Sequence, residues 1–397
     1  MKQTLFDCNF CDSQQEVVQH ASIDHSLAGS LLKRLDSKYT AAFARLTEEE
    51  QYKVALYFLP HTSGKQTLTI TRPRVIKWYC PFADQTVFPS GVRYCINVYT
   101  GCEHGCRYCY VQGYSVNKIT DALAKCKDQF RRQLIKDLEE IEKYDVLCTP
   151  VHLSNSTEAF GPIEGQFQNS LFALEKLLEF RHRFSTVTIL TKNPAMLLHS
   201  SYLETLLALS RFHPSHPRRK YFQNNGLSPL WLEVSLAFWN DKSREMLEPG
   251  APSVASRLEA VAQLQRAGVP VALRIDPLFP HDSLGNGKMM SDFDLFDFQS
   301  YDDLKNLVSF CKREGIKKII YSPLKITKPR AGALPLLMQQ LKRVYEHLAD
   351  HPLDFRGGSW RLPHEVAQPA LLAPLQQLCQ EAGIVANGCK ENLLATP

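Results

Sequence analysis

Between Val92 and Lys325, short apolar runs alternate with longer amphipathic stretches, and no other feature limits the possible folds as strongly. The pattern predicts strands over 92–99, 146–153, 186–190, 230–236, 269–275 and 316–321. Helices are predicted between them over 119–144, 168–180, 202–209, 254–267 and 301–314, the last two closed by Gly268 and Gly315 at positions suited to a left-handed cap. In the first of these helices Leu123, Phe130, Leu134, Leu138 and Ile141 fall on one face. About six strand–helix units argue for a parallel α/β sheet curled into a barrel, since each parallel return needs a crossover that a helix supplies. In such folds the site is built from polar residues at the C-terminal ends of the strands.

The first strand runs into Asn97-Val98-Tyr99-Thr100-Gly101-Cys102-Glu103-His104-Gly105-Cys106-Arg107-Tyr108-Cys109-Tyr110. Its cysteines have C-x3-C-x2-C spacing, and cubane iron–sulfur clusters are held by cysteine thiolates. Three thiolates leave a fourth iron open to a small molecule. The glycines let the backbone fold back so that the sulfurs converge. A zinc site would ordinarily bring a second cysteine or histidine pair, and none follows at zinc-finger spacing.

This string resembles the signature of radical S-adenosylmethionine (SAM) enzymes, and its N-x-Y-x-G-C-E-H-G-C-x-Y-C-Y form is similar to the spore photoproduct lyase-like branch. The resemblance covers residues from about 70 to 325 and implies a partial (β/α)6 TIM-like barrel with N- and C-terminal extensions. It implies a [4Fe–4S] cluster held by Cys102, Cys106 and Cys109, whose open iron chelates SAM. One electron, from a donor such as flavodoxin or ferredoxin, then yields a 5′-deoxyadenosyl radical, so the cofactors carry the chemistry and the protein orients them.

Further residues follow from the same resemblance. Tyr108 shields the cluster, and the Tyr110 backbone meets adenine. Lys192, after Thr191, matches the lysine that holds the methionine carboxylate, a task suited to a compact cation with several donors. Ser235 matches a SAM-contacting serine, although small hydroxyl residues also fit a crowded barrel interior. Asn155 and Glu158, after the second strand, are pocket candidates, with helix capping the plainer reading of that Ser-Asn-Ser-Thr run. His104 is read as a hydrogen-bonding neighbour of the cluster ligands. The stretch from Arg244 to Pro252 resembles the branch's LEP…AP segment, and Arg257 matches a recurrent arginine; a proline-rich turn explains the same residues. Arg274 and Asp276 are candidate partners or substrate contacts, and Lys325 is a minor anion-binding candidate. Spore photoproduct lyase carries a hydrogen-donating cysteine near the end of the strand after the cluster. The matching strand here ends at Ser154-Asn155, with Cys148 at its other end, so the resemblance implies SAM cleavage without implying thymine-dimer repair.

The implied substrate is a nucleobase or nucleoside, free or within nucleic acid. Rival readings are a radical SAM enzyme acting on a small metabolite or natural-product intermediate, and an iron–sulfur or zinc nucleic-acid-binding protein without SAM chemistry. The net charge of +5 and the basic, aromatic run from Arg211 to Tyr221 permit an anionic partner. The 12 cysteines and the absence of an N-terminal export signal argue for a reducing cytoplasm, and no apolar run reaches membrane-spanning length. Residues 1–70 read as an accessory segment containing an unmatched Cys8-x2-Cys11 pair, 71–325 as the barrel, and 326–397 as a helical extension. The loop 355–363 is a candidate cap on the barrel mouth.

Overall fold

The computed structural model describes residues 75–77, 94–113, 123–143, 149–214, 219–224, 228–282, 289–350, 352–356 and 358–389, with isolated positions 44, 47–48 and 51. The sequence also predicts a helix over 41–59 and a strand over 65–78; most of both, with Cys8, Cys11 and Cys148, lie outside the described residues.

The chain enters through β1 (Ile76–Lys77) and β2 (Tyr94–Ile96), then a small pair formed by β3 (Tyr99–Thr100) and β4 (Lys125–Cys126). Strand and helix then alternate: α1 (Phe130–Lys143), β5 (Thr149–Leu153), α2 (Asn169–Glu179), β6 (Phe184–Thr191), α3 (Ser200–Leu209), β7 (Leu230–Ser235), α4 (Asp241–Leu247), α5 (Val254–Arg266) and β8 (Val271–Leu278). After α6 (Tyr301–Glu314) and β9 (Lys318–Pro323) come β10 (Ile326–Thr327), α7 (Leu336–Ala349), β11 (Asp354–Arg356), β12 (Ser359–Arg361), α8 (Ala373–Ala382) and β13 (Val385–Gly388). Eight strands form one sheet in the order β1-β2-β5-β6-β7-β8-β9-β13. From β2 to β13 every pairing is parallel, and β1 is antiparallel at the edge. The sheet is the open, mostly parallel partial barrel that the alternation predicts.

Successive side chains on a strand face opposite ways, so each strand divides its residues between two environments. Val187, Ile189, Leu232, Val234, Leu273, Ile275 and Ile319 pack into the main core with the helices. The alternate file holds Cys95, Ala272, Ile320 and Cys389, with Tyr110 and Trp231 against them. On β7 and β8 that file continues into Glu233, Ser235, Arg274 and Asp276. Polar residues therefore gather on the concave side at the C-terminal ends of the strands.

Three expectations are corrected. The helix expected from 119 begins only at Phe130, and Leu123 is 68% exposed. The residues before it pair as β4 with β3, Tyr99 opposite Cys126, and Lys127 donates to the Asn97 carbonyl; this segment braces the cysteine loop. The loop expected over 355–363 instead contains the hairpin of β11 and β12, which pairs with β10. The extension expected to be helical after 325 is so only in part: its helices stand at Leu336–Ala349 and Ala373–Ala382, and the chain beyond them returns a strand to the main sheet, β13 lying parallel to β9 with Asn387 opposite Ile320.

Candidate active site

The cysteine loop follows β3 and closes on itself through Cys109 N donating to Cys106 O at 3.0 Å and Gln112 N to Cys109 O at 3.3 Å. Gly101 has φ +83°, and a Cβ there would stand 2.2 Å from the Leu123 carbonyl oxygen, so only glycine allows this close approach. The turn after α4 clamps the loop from outside: Arg107 N donates to Leu247 O, and Gly250 N to His104 O, both at 2.9 Å.

Cys106 is buried, while Cys102 and Cys109 are half-buried. Burial pushes the Cys102 thiol up to about 12 and raises Cys109, and it drives Cys106 well above its usual value. Each of Cys102 and Cys106 also feels the charge of neighbouring cysteines in the loop. Among the described residues no three His, Cys, Asp or Glu side chains close on a single ion-sized point. Thiols kept protonated by burial give up their protons to a metal centre. Three free cysteines on one short loop, one buried and two half-buried, are the donor type that an iron–sulfur cluster takes.

Beside the loop stands a buried polar network. Lys192, just past β6, donates from Nζ to Ser235 Oγ at 2.6 Å, Glu248 Oε1 at 2.7 Å and the Tyr108 hydroxyl at 3.1 Å. Tyr108 in turn donates to Glu248 Oε1. Arg257 NH1 donates to Glu248 Oε2 at 2.9 Å and to the Ser235 carbonyl at 3.0 Å. The Glu248 and Arg257 side chains are wholly buried, and Lys192 is 15% exposed. Burial opposes charge on Glu248, but Lys192 and Arg257 hold its carboxyl at about 2. Burial likewise opposes charge on Lys192, and Glu248 together with the nearby Cys106 sulfur raises its proton affinity above the usual value. Such a pair persists in the interior because hydrogen bonds from several sides replace lost hydration.

Glu158 is differently employed. Its Oε1 accepts from Thr191 Oγ1 at 2.7 Å and Phe160 N at 2.9 Å, and its Oε2 accepts from Lys192 N at 2.8 Å. It fixes the backbone step that presents Lys192. His104 Nδ1 lies 3.7 Å from the same carboxylate, beyond hydrogen-bonding reach, and burial lowers the imidazole's proton affinity. The Asn155 carbonyl accepts from the Tyr110 hydroxyl at 2.6 Å, and Asn155 Oδ1 accepts from Ser156 Oγ at 2.9 Å.

The structure thus brings Cys102, Cys106, Cys109, Tyr108, Lys192 and Ser235 to one rim, with Tyr110, Asn155 and Glu158 bracing it. Glu248 and Arg257 enter the network too. The sequence signal for them was the LEP…AP resemblance, which by itself reads equally well as a turn. Along the wall formed by β7, β8, β9 and β13 a second polar group forms. Arg274 donates to Glu233 at 2.6 Å, to Asp276 at 2.8 and 3.1 Å, and to the Cys389 sulfur, while Ser322 Oγ donates to Asp276 at 2.9 Å. Lys325 acts on Asp276 electrostatically and depresses its carboxyl after Arg274. The basic run falls elsewhere: Arg211 and His213 line a small hollow with Arg181, Phe184 and Pro229, at the N-terminal ends of β6 and β7.

In fold the chain is similar to spore photoproduct lyase: the form of that enzyme with bound S-adenosylmethionine and dinucleoside spore photoproduct matches at TM-score 0.51 and 15% identity, over 81% of this chain and 80% of that one. A second structure of that lyase, complexed with dinucleoside spore photoproduct, matches at TM-score 0.50 and 16% identity over 80% and 79%. In sequence, the chain is 24% identical over 191 residues to a radical SAM Nalpha-GlyT isomerase of Pseudomonas phage M6, a match spanning 46% of this chain and 33% of that protein. It is 23% identical over 222 residues to an uncharacterized protein of Methanocaldococcus jannaschii, across 52% and 71% of the two chains. No family model matches. Among the described residues no helix is long and apolar enough to cross a membrane.

Proposed function

We propose that this chain is a radical SAM enzyme of the spore photoproduct lyase-like branch. Cys102, Cys106 and Cys109 hold a [4Fe–4S] cluster, and Lys192 with Ser235 receives the SAM carboxylate. Bound there, the pair supplies one-electron cleavage of SAM and a 5′-deoxyadenosyl radical for hydrogen abstraction. The observation that carries this reading is the joining of Lys192, just past β6, to Tyr108 of the cysteine loop, Ser235 of β7 and Glu248 by three Nζ hydrogen bonds. An ammonium fixed beside a thiol triad is what a ligand with a carboxylate near an open iron requires.

The chain's own residues then do four things. The loop presents the thiols, Tyr108 covers them from water, Glu158 fixes the Thr191–Lys192 backbone, and Tyr110 ties the loop to the end of β5 through Asn155. The substrate is a nucleobase or nucleoside, a reading supported by the dinucleoside bound in the structural relative. The reductant is a low-potential one-electron carrier of the flavodoxin or ferredoxin kind.

The test is anaerobic reconstitution with iron and sulfide, then dithionite and SAM, with 5′-deoxyadenosine scored by chromatography. Its formation by the wild type and its loss in Cys106→Ala are expected. A reconstituted protein that leaves SAM intact, with or without nucleosides present, would sink the reading.

A further inference from the structure

Lysine has a long flexible stem, so the position of its ammonium is set by whatever holds the tip. In Lys192 all three N–H bonds are held, by Ser235, Glu248 and Tyr108. Two of these holders depend on Glu248, because Tyr108 donates its own hydroxyl proton to the same Glu248 oxygen. Glu248 is itself fixed from behind: Arg257 reaches its second oxygen while also donating to the Ser235 backbone. The side chains of Glu248 and Arg257 are both fully buried, so neither takes its place from solvent.

The turn carrying Glu248 is also pinned to the cysteine loop on both flanks. Leu247 O accepts from Arg107 N on one side, and Gly250 N donates to His104 O on the other. One carboxylate therefore refers the Lys192 tip, the Tyr108 ring and the thiol loop to a single frame.

We propose that Glu248, fixed by Arg257, is the positioning residue that holds the Lys192 ammonium in register with the cysteine loop so that it meets the carboxylate of bound SAM. This rests on the reading that SAM is the ligand. Tyr108 gives up its contact with Lys192 when the carboxylate arrives, because at 3.1 Å it is the longest of the three and Tyr108 keeps Glu248 as its own acceptor. Glu248 and Ser235 stay in place. Glu248 touches neither ligand nor reacting atoms and acts through Lys192.

The test measures binding to the cluster-loaded protein by equilibrium dialysis, with SAM and with decarboxylated SAM, which lacks the group Lys192 meets. In Glu248→Gln, SAM should bind on the order of tenfold more weakly, as expected for loss of a charge-assisted contact. Decarboxylated SAM should bind as it does to the wild type. Combining Glu248→Gln with Lys192→Gln should weaken SAM no further than Lys192→Gln alone, since residues acting through one another are not additive. Glu248→Asp keeps the buried charge but shortens its reach, and it should show the same selective loss even where Glu248→Gln folds poorly. Equal weakening of both ligands would make Glu248 merely structural, and no weakening of either would remove its role. Tighter SAM binding would make it a competitor of the ligand. A wild type that binds a cluster but no SAM overturns the functional reading, and this inference with it.

Discussion

A Cβ placed on Gly250 would lie 2.2 Å from the backbone oxygen of Glu103, in the middle of the cysteine loop. Both partners are backbone, so no side chain can swing aside. Gly250→Ala must push the loop off the turn that carries Glu248 and break the His104 O contact. Forced overpacking of this kind costs roughly 1–3 kcal/mol. The expected outcome is a protein that melts a few degrees lower and retains less iron and sulfide after reconstitution. Full iron content in the variant would show that the loop adapts freely.

Glu164 is a further buried carboxylate that carries a network. It accepts from Tyr202 OH at 2.6 Å, Ser170 N at 2.9 Å and Leu171 N at 3.0 Å, and from Tyr99 OH. Burial and the adjacent carboxylate push both phenols above their usual range. Glu164→Ala leaves these buried donors without an acceptor, and each orphan costs about 1–3 kcal/mol. The expected result is a large drop in the urea midpoint of the apo-protein, with Glu164→Gln intermediate because it retains one acceptor oxygen.

The parts of the site that were legible in the sequence are those whose chemistry is contiguous or sits at a strand end. Three thiols must share one loop, so Cys102, Cys106 and Cys109 announce themselves by spacing. Lys192 and Ser235 stand out through the apolar runs before them. Glu248 has no such frame. Its meaning lies in Lys192, 56 residues away, and in Tyr108, 140 residues away, and no local pattern encodes either contact. The fold shows the same division. Long amphipathic helices were read closely, as with Tyr301–Glu314, whose Ser300–Asp303 capping box and Gly315 cap fix both ends. Leu123 matched the helical period of α1 but belongs to a segment claimed by pairing with β3. Val385–Gly388 lacks a β-branched run, and the open edge of β9 makes it a strand.

Asp297 gives the fold a pH dependence of definite sign. Burial raises its carboxyl from 3.8 to about 6, and Oδ1 is buried without a hydrogen-bond partner. Between those two values the folded protein holds a proton that the unfolded chain has released. Stability from this group is therefore greatest below about pH 4 and falls as pH rises through about 6. Asp297→Asn removes the titration while keeping an oxygen for Asp282 N, which donates to Oδ2 at 3.3 Å. The variant should melt above the wild type at pH 8 and match it near pH 4. A constant difference between the two at every pH would assign the effect to packing.

Lys192 and Ser235 should separate SAM binding from cluster binding. Lys192→Gln removes the charge-assisted donor, a contact worth roughly 1.5–3 kcal/mol, so SAM affinity should fall about 10- to 100-fold. Ser235→Ala removes one neutral hydrogen bond, worth about 1 kcal/mol, and should cost about fivefold. Neither side chain supplies a thiol, so iron and sulfide content and the visible absorption of the reconstituted cluster should match the wild type. The Lys192 variant leaves Glu248 buried with Arg257 and Tyr108 as its remaining partners, and some loss of melting temperature is expected with it. Affinity and iron content must therefore be measured on the same sample. Loss of both in proportion would mean that Lys192 serves the loop and not the ligand. Loss of affinity with a full cluster places the Lys192 ammonium on the SAM carboxylate.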